Sequence, residues 1–165
     1  MVDNNIIIPY IDLASQWEDD RPELLPIIDN LLRSGHYVGG EEIDNFEIQI
    51  AKLCKVKYAV ALNSGTDALT MALYLLGVGK GDEVITPPNS FIASTAVIKH
   101  LGAVPVFVDV LPDQNIDIEN IESAITNKTK AIMPVHLYGP VVEMNAVMDF
   151  ASVNRLKVIE DAAQA

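Results

Sequence analysis

From residue 57 onward, short apolar runs alternate with helix-patterned segments, and this alternation restricts the chain more than any other feature. "KYAVALN" reads as a strand and "TDALTMALYLL" as a helix stopped by Gly77. "DEVITP" is a strand, and "SFIASTAVIKHL" a helix stopped by Gly102. "VPVFVDV" is a strand, and Asp117 caps a short helix, "IENIESAI". "KAIMPV", "EMNAVMDFASVN" and "KVIED" complete the series as strand, helix and strand. The strand runs are continuously apolar rather than alternating, as expected where helices cover both faces of a parallel sheet. The implied class is α/β: three layers, α/β/α, around a mostly parallel sheet. Such sheets bind ligands beyond the carboxyl ends of their strands.

The first part of the chain lacks this rhythm. Residues 1–40 read as an irregular and helical segment, and 41–165 as the domain proper. "RPELLPIIDNLLRSG" predicts a short helix that starts at Pro26, which disrupts an earlier start at Pro22, and ends at Gly35. "EEIDNFEIQIAKLCK" places Ile43, Phe46, Ile50 and Leu53 on one helical face. Cys54, the single cysteine, falls on that stripe and is expected as a small core hydrophobe.

Composition narrows the function classes. The formal net charge is −12, spread without an acidic block, so a groove for a phosphate backbone is not expected. No segment approaches the ~20 apolar residues of a membrane span. The start "MVDNNIIIPY" lacks the basic residues and cleavage site of a signal peptide, and one cysteine allows no internal disulfide. These features suit the cytoplasm. His36, His100 and His136 stand in separate contexts, and no metal-ligand spacing appears.

The chemistry must therefore be sought just past the strands. After the first comes "NSGTDAL". Gly65 permits a special backbone conformation and the close approach of a ligand. The amides of Gly65, Thr66 and Asp67 open the next helix, at the positive end of its dipole, where phosphate binds. The same residues also suit a plain strand-to-helix turn capped by Ser64 or Thr66. The stretch is not a P-loop, which needs a Lys-Ser/Thr pair after its glycines. After the second strand, "PPNSFIAS" brings Phe91 to the start of a helix. Core packing is the commoner fate of such a ring; stacking on a flat heteroaromatic ligand is the other.

After the fourth strand, "HLYGPVVEM" places His136 and Tyr138 at the same edge. His136 is open to three readings: an acid or base, a hydrogen-bonding loop residue, or a solvated side chain. After the fifth strand come Asp161 and Gln164. A carboxylate there caps a helix, or keeps a pyridine nitrogen protonated so that the ring becomes an electron sink. Glu160, its neighbour, points to the opposite face. One ligand satisfies a phosphate site at Gly65-Thr66-Asp67, a ring site at Phe91 and an acid at Asp161: pyridoxal phosphate.

At these residues the chain resembles the DegT/DnrJ-type sugar aminotransferases, of the type I fold of pyridoxal-phosphate enzymes. The resemblance runs from about "RSGHYVGGEEIDNFE" to the end, and is carried by "ALNSGTDAL", "PPNSFIASTAV", "GAVPVFVDV", "KTKAIMPVHLYGPVVEM" and "VIEDAAQA". It implies that Gly65, Thr66 and Asp67 hold the cofactor phosphate and that Phe91 stacks on the pyridine ring. It further implies that Asp161 pairs with the ring nitrogen and that Gln164 hydrogen-bonds the ring hydroxyl. It implies a homodimer, with sites at the subunit interface, that moves an amino group from glutamate to a nucleotide-linked keto-sugar.

Family members are much longer, and their Schiff-base lysine lies beyond the point this chain reaches. Lys99, Lys128, Lys130 and Lys157 stand in other contexts and are expected on the surface. The chain is therefore expected to be the N-terminal part of the large domain, incomplete for turnover and with sheet edges left open. A sugar dehydratase of the same family, which replaces that lysine with histidine, and a non-catalytic binding or assembly module are the alternatives.

Overall fold

The computed structural model describes residues 8–165 and divides into two compact units, Met1–Ala61 and Leu62–Ala165. In the first, α1 spans Leu13–Ser34 and α2 spans Glu41–Leu53. Asp12 caps α1: Oδ1 accepts the Ser15 N–H at 3.1 Å, and Oδ2 accepts the Ser15 hydroxyl at 2.7 Å. Gly35 ends the helix at φ 74°, in the left-handed region.

The start expected at Pro26 is wrong, because α1 runs through both Pro22 and Pro26. Each proline removes one donor from the helix ladder. The four-residue spacing stacks the two losses on one side, and the whole stretch is exposed, so water can serve the freed carbonyls. In α2, the acids Glu41, Glu42 and Asp44 complement the positive end of the helix dipole. Ile43, Phe46 and Leu53 do share a face, yet all three are exposed. Cys54 is the C-cap of α2 and is also exposed, which overturns its expected place in a core.

The second unit is an open α/β sheet. In chain order it contains α3 (Gly65–Leu75), β1 (Glu83–Thr86), α4 (Ile92–His100), β2 (Val104–Phe107) and α5 (Ile118–Ala124). It continues with β3 (Thr129–Ile132), α6 (Met144–Asn154) and β4 (Lys157–Val158). The strands lie in the order β2-β1-β3-β4, and every pairing is parallel. The run at residues 57–63, expected as a strand, has no ladder partner among the described residues. Apolar content suits a run to a sheet, but only a hydrogen-bonding neighbour makes it a strand.

Both faces of β1 and β3 are covered, as their continuous apolar runs require, while Val104 and Phe107 of the edge strand β2 stay exposed. On one face, Val84, Ala131 and Met133 pack with Leu69 and Leu73 of α3 and Val97 and Ile98 of α4. On the other, Ile85 and Ile132 pack with Ile121 of α5 and Val147 and Ala151 of α6. Adjacent strand residues thus alternate between two cores. Full burial of each Ile or Leu contributes about 1.5–3 kcal/mol, which outweighs the weak intrinsic preference of strands only two to four residues long.

The order of the strands creates the crevice. After β1 the chain steps to one side to form β2, then crosses to the other side of β1 to form β3. The reversal lies between β1 and β3, and ligands of open sheets bind outside the carboxyl ends at such a point. Pairing of β3 with β4 continues past their formal ends. The Ile159 N–H donates to the Ile132 carbonyl, the Asp161 N–H to Pro134, and the His136 N–H to the Asp161 carbonyl. A parallel bridge between Val135 and Asp161 closes this extension. Asp161 is therefore held at the carboxyl edge by its backbone before its side chain makes any contact.

Candidate active site

A cavity of about 240 Å³ opens at this edge, and Phe91, Asp161 and Gln164 line it together with Ser90, Val135, Leu137 and Ala163. Phe91, which follows β1, meets Asp161 and Gln164, which follow β4, because β1, β3 and β4 end side by side. In the first unit, a concavity of about 600 Å³ is lined by residues of α2 alone. Its polar groups, Gln49 and Lys52, come from that one helix, whereas a ligand site gathers groups from several elements.

Asp161 is 9% exposed. Oδ2 accepts the Ser94 hydroxyl at 2.8 Å, and Oδ1 accepts the Ala163 N–H at 3.3 Å. Each carboxylate oxygen has a second lone pair, so the group retains accepting capacity toward the cavity. Ser94, in the first turn of α4, is 1% exposed, and its Oγ lies 2.8 Å from that of Ser90. These two serines were not among the residues picked from the sequence. The only trace of them was their four-residue spacing in "NSFIAS", which puts them on one side of a helix start.

Gln164 has a fixed sense. Its Oε1 accepts the Tyr138 N–H at 2.9 Å, so its amide NH₂ is the end left to donate. Tyr138 is in the left-handed region at φ 62°, an uncommon conformation for a residue with a side chain. That conformation turns its N–H toward Gln164. Phe91 occupies the N-cap position of α4, and its ring is 73% exposed. The core alternative for Phe91 is excluded, and the ring is free to present a face to the cavity.

His136 and Glu160 lie on the other side of the same strand end. His136 is 2% exposed; its Nδ1 accepts the Val142 N–H at 3.3 Å, and its Nε2 lies 3.1 Å from Glu160 Oε2. Of its three readings, the buried hydrogen-bonding one describes the structure. Glu160 turns away from Asp161 and serves His136, as the alternation of side chains along a strand predicts.

The residues expected at the phosphate lie at the same edge but do not line the cavity. α3 leads through Gly77 into β1, so its N-terminus lies toward the carboxyl ends of the strands. Ser64 is its cap, and Ser64 Oγ accepts the Asp67 N–H at 3.1 Å. The amides of Gly65 and Thr66 make no hydrogen bond to the described residues, so these two are available to an anion. Gly65 does not use a positive φ, contrary to the first reason given for it. A Cβ there would meet nothing within 4 Å, so its role is to leave the main chain uncovered. Lys99, Lys128, Lys130 and Lys157 are exposed, and no lysine lines the cavity.

Comparison with known proteins gives a consistent picture. The sequence model of the DegT/DnrJ/EryC1/StrS aminotransferase family matches residues 18–165. The dTDP-3-amino-3,4,6-trideoxy-alpha-D-glucose transaminase of Streptomyces venezuelae is 43% identical over 159 residues, 96% of this chain and 42% of that protein. The crystal structure of DesV from S. venezuelae superposes with a TM-score of 0.93 at 43% identity, covering 96% of this chain and 43% of that one. NtdA from Bacillus subtilis, with bound cofactor PMP, superposes at 0.87 with 40% identity, covering 89% and 34%. The chain spans less than half the length of the curated relatives it matches.

Proposed function

Because the chain belongs to the DegT/DnrJ/EryC1/StrS aminotransferase family, we propose that it supplies the cofactor-binding part of an aminotransferase acting on a nucleotide-linked keto-sugar. The cofactor of this family is pyridoxal phosphate. The observation that carries the proposal is the convergence of Asp161, Gln164 and Phe91 on one cavity at the switch point of the sheet. Every assigned residue falls within 62–165, inside the 41–165 span proposed as the cofactor-binding part.

The donors and acceptors present suit that cofactor. Asp161, buried and acceptor-only when ionised, would hold the protonated ring nitrogen. The Gln164 NH₂, left free by the Tyr138 bond, would donate to the ring hydroxyl oxygen. Phe91 would cover one face of the ring; such stacking is worth about 0.5–1.5 kcal/mol beyond area burial. The amides of Gly65 and Thr66 receive the phosphate at the helix start, with the Ser64–Asp67 cap holding that turn in shape. When bound, the protonated pyridine ring supplies an electron sink for the carbon next to the transferred nitrogen. Glutamate as the amino donor, assembly as a homodimer and a cytoplasmic location are proposed on the same family resemblance.

The test is a titration of this chain with pyridoxamine phosphate, which needs no covalent bond to the protein. Saturable binding that is lost in Asp161→Ala supports the assignment. Equal binding by both proteins would overturn it.

A further inference from the structure

Asp161 and Ser94 stand 67 positions apart in sequence, and both are more than nine-tenths buried. A carboxylate oxygen can only accept, and a serine hydroxyl has one proton to give. The Ser94 proton is committed to Asp161 Oδ2 at 2.8 Å. The 2.8 Å contact between Ser90 and Ser94 must then be a donation from Ser90. The three side chains form a one-way series, Ser90 to Ser94 to Asp161, ending on the acid.

The other restraint on this carboxylate is weaker, a 3.3 Å contact from the Ala163 N–H to Oδ1. Ser94 thus supplies the shorter bond, and it does so from the first turn of α4, which is seated in the core through Val97 and Ile98. A bond of this kind, from a rigid helix to a charged acceptor, fixes the rotation of the carboxyl plane as well as its position. A buried hydroxyl could also serve only to tie α4 to the end of β4. The two roles differ in one respect: a mere tie has no effect on the ligand's ring nitrogen.

We propose that Ser94 is a positioning residue, which holds the Asp161 carboxylate in the one orientation that presents an oxygen to a protonated ring nitrogen, with Ser90 fixing the direction of the Ser94 hydroxyl. The proposal rests on the reading of this cavity as the pyridoxal phosphate site.

The test uses the chain itself with pyridoxamine phosphate labelled with ¹⁵N at the ring. Affinity, the ring ¹⁵N shift and the urea midpoint are measured for the parent, Ser94→Ala, Ser94→Thr, Ser90→Ala and Asp161→Asn. Ser94→Ala is expected to weaken binding roughly five- to tenfold, the scale of one ordinary hydrogen bond, and to move the ring signal toward that of the unprotonated nitrogen. Ser94→Thr restores both. Ser90→Ala, which leaves the core untouched, moves the signal in the same direction by a smaller amount. An unchanged ring signal and affinity in Ser94→Ala and Ser90→Ala overturn the proposal, whatever the urea midpoints show. If Ser94→Ala does not fold, the ring ¹⁵N signal of Ser90→Ala decides, because Ser90 itself lines the cavity and its affinity also reports direct contact. A parent chain that binds no pyridoxamine phosphate overturns the cofactor reading, and this proposal with it. A parent that binds, loses affinity as Asp161→Asn and is indifferent to both serines overturns this proposal only.

Discussion

His136 Nδ1 accepts the backbone N–H of Val142 at 3.3 Å, so its ring proton lies on Nε2, directed at Glu160 3.1 Å away. One imidazole thus ties the loop after β3 to both its own far end and the end of β4. Removing the ring leaves the Val142 N–H buried without an acceptor, a loss of about 1–3 kcal/mol, with lost packing in addition. His136→Ala is expected to lower the unfolding free energy by about 2–4 kcal/mol in urea titrations. His136→Asn, whose side-chain oxygen can accept the same N–H, should recover part of that. Equal losses in the two variants would show that the Val142 bond is not what matters.

Asp161→Asn keeps an acceptor for Ser94 but removes the charge. Binding of pyridoxamine phosphate should fall at least tenfold, since hydrogen bonds to charged groups contribute about 1.5–3 kcal/mol. The far-ultraviolet circular dichroism should not change. Binding within twofold of the parent would argue that the acid does not meet the ring.

Gly65→Ala separates fold from function. No heavy atom lies within 4 Å of the added Cβ, and Gly65 does not need a positive φ. The urea midpoint should stay the same or rise slightly, because alanine suits a helix better than glycine by up to about 1 kcal/mol. Phosphate-dependent binding should weaken, because the methyl group covers the approach to the amides. Unchanged affinity would move the phosphate away from this turn.

Two glycines that end helices should respond unequally to alanine. Gly77 and Gly102 both have positive φ, 76° and 77°. Around Gly77 nothing lies within 4 Å, whereas at Gly102 a Cβ would sit 3.3 Å from the Lys80 Cα. Gly77→Ala should cost about 1 kcal/mol of backbone strain, and Gly102→Ala clearly more. Thermal melts of the pair check the order, and a larger loss at Gly77 would contradict it.

The start of α1 should depend on pH. Hydrogen bonds from the backbone and side chain of Ser15 hold the Asp12 carboxyl below its ordinary value. The cap is therefore fully in place above the ordinary carboxylate range, and its contribution is lost as pH falls through the lowered folded value. Helical Cα chemical shifts at residues 13–16 should decline between mild and strong acid, and in Asp12→Ala they should be low throughout. Shifts in the parent that stay helical in strong acid would show that the cap is dispensable.

Much of the second unit was legible because its signals are local. Continuous apolar runs mark strands covered twice, and Gly77 and Gly102 mark where helices stop. The elements from Gly65 to Val158 follow that reading within a few residues. What failed depended on partners that no window of sequence contains. The run at 57–63 is apolar enough for a strand but has no neighbour, and the stripe of Ile43, Phe46 and Leu53 marks a face without showing whether anything covers it. Pro22 and Pro26 looked like a break, yet an exposed helix can give its unpaired carbonyls to water. At the candidate site, the place of Asp161, Gln164 and Phe91 after strands, with the family resemblance, pointed to residues that do share one cavity. Ser94 was not, because a buried hydroxyl has no periodic signature and its partner is 67 residues away.

The hold on Asp161 also bears on the order of folding. Its carboxylate answers to α4, its amide to Pro134 after β3, and its carbonyl to His136. None of these contacts is local, and each requires the closure of a long loop, whose entropy must be met before the contact can form. The helices can form early, but the cavity exists only once β3 and β4 have zipped to their last bridge. The acid would then be among the final groups to reach its place, and a bound pyridine would report a finished sheet rather than help to build one.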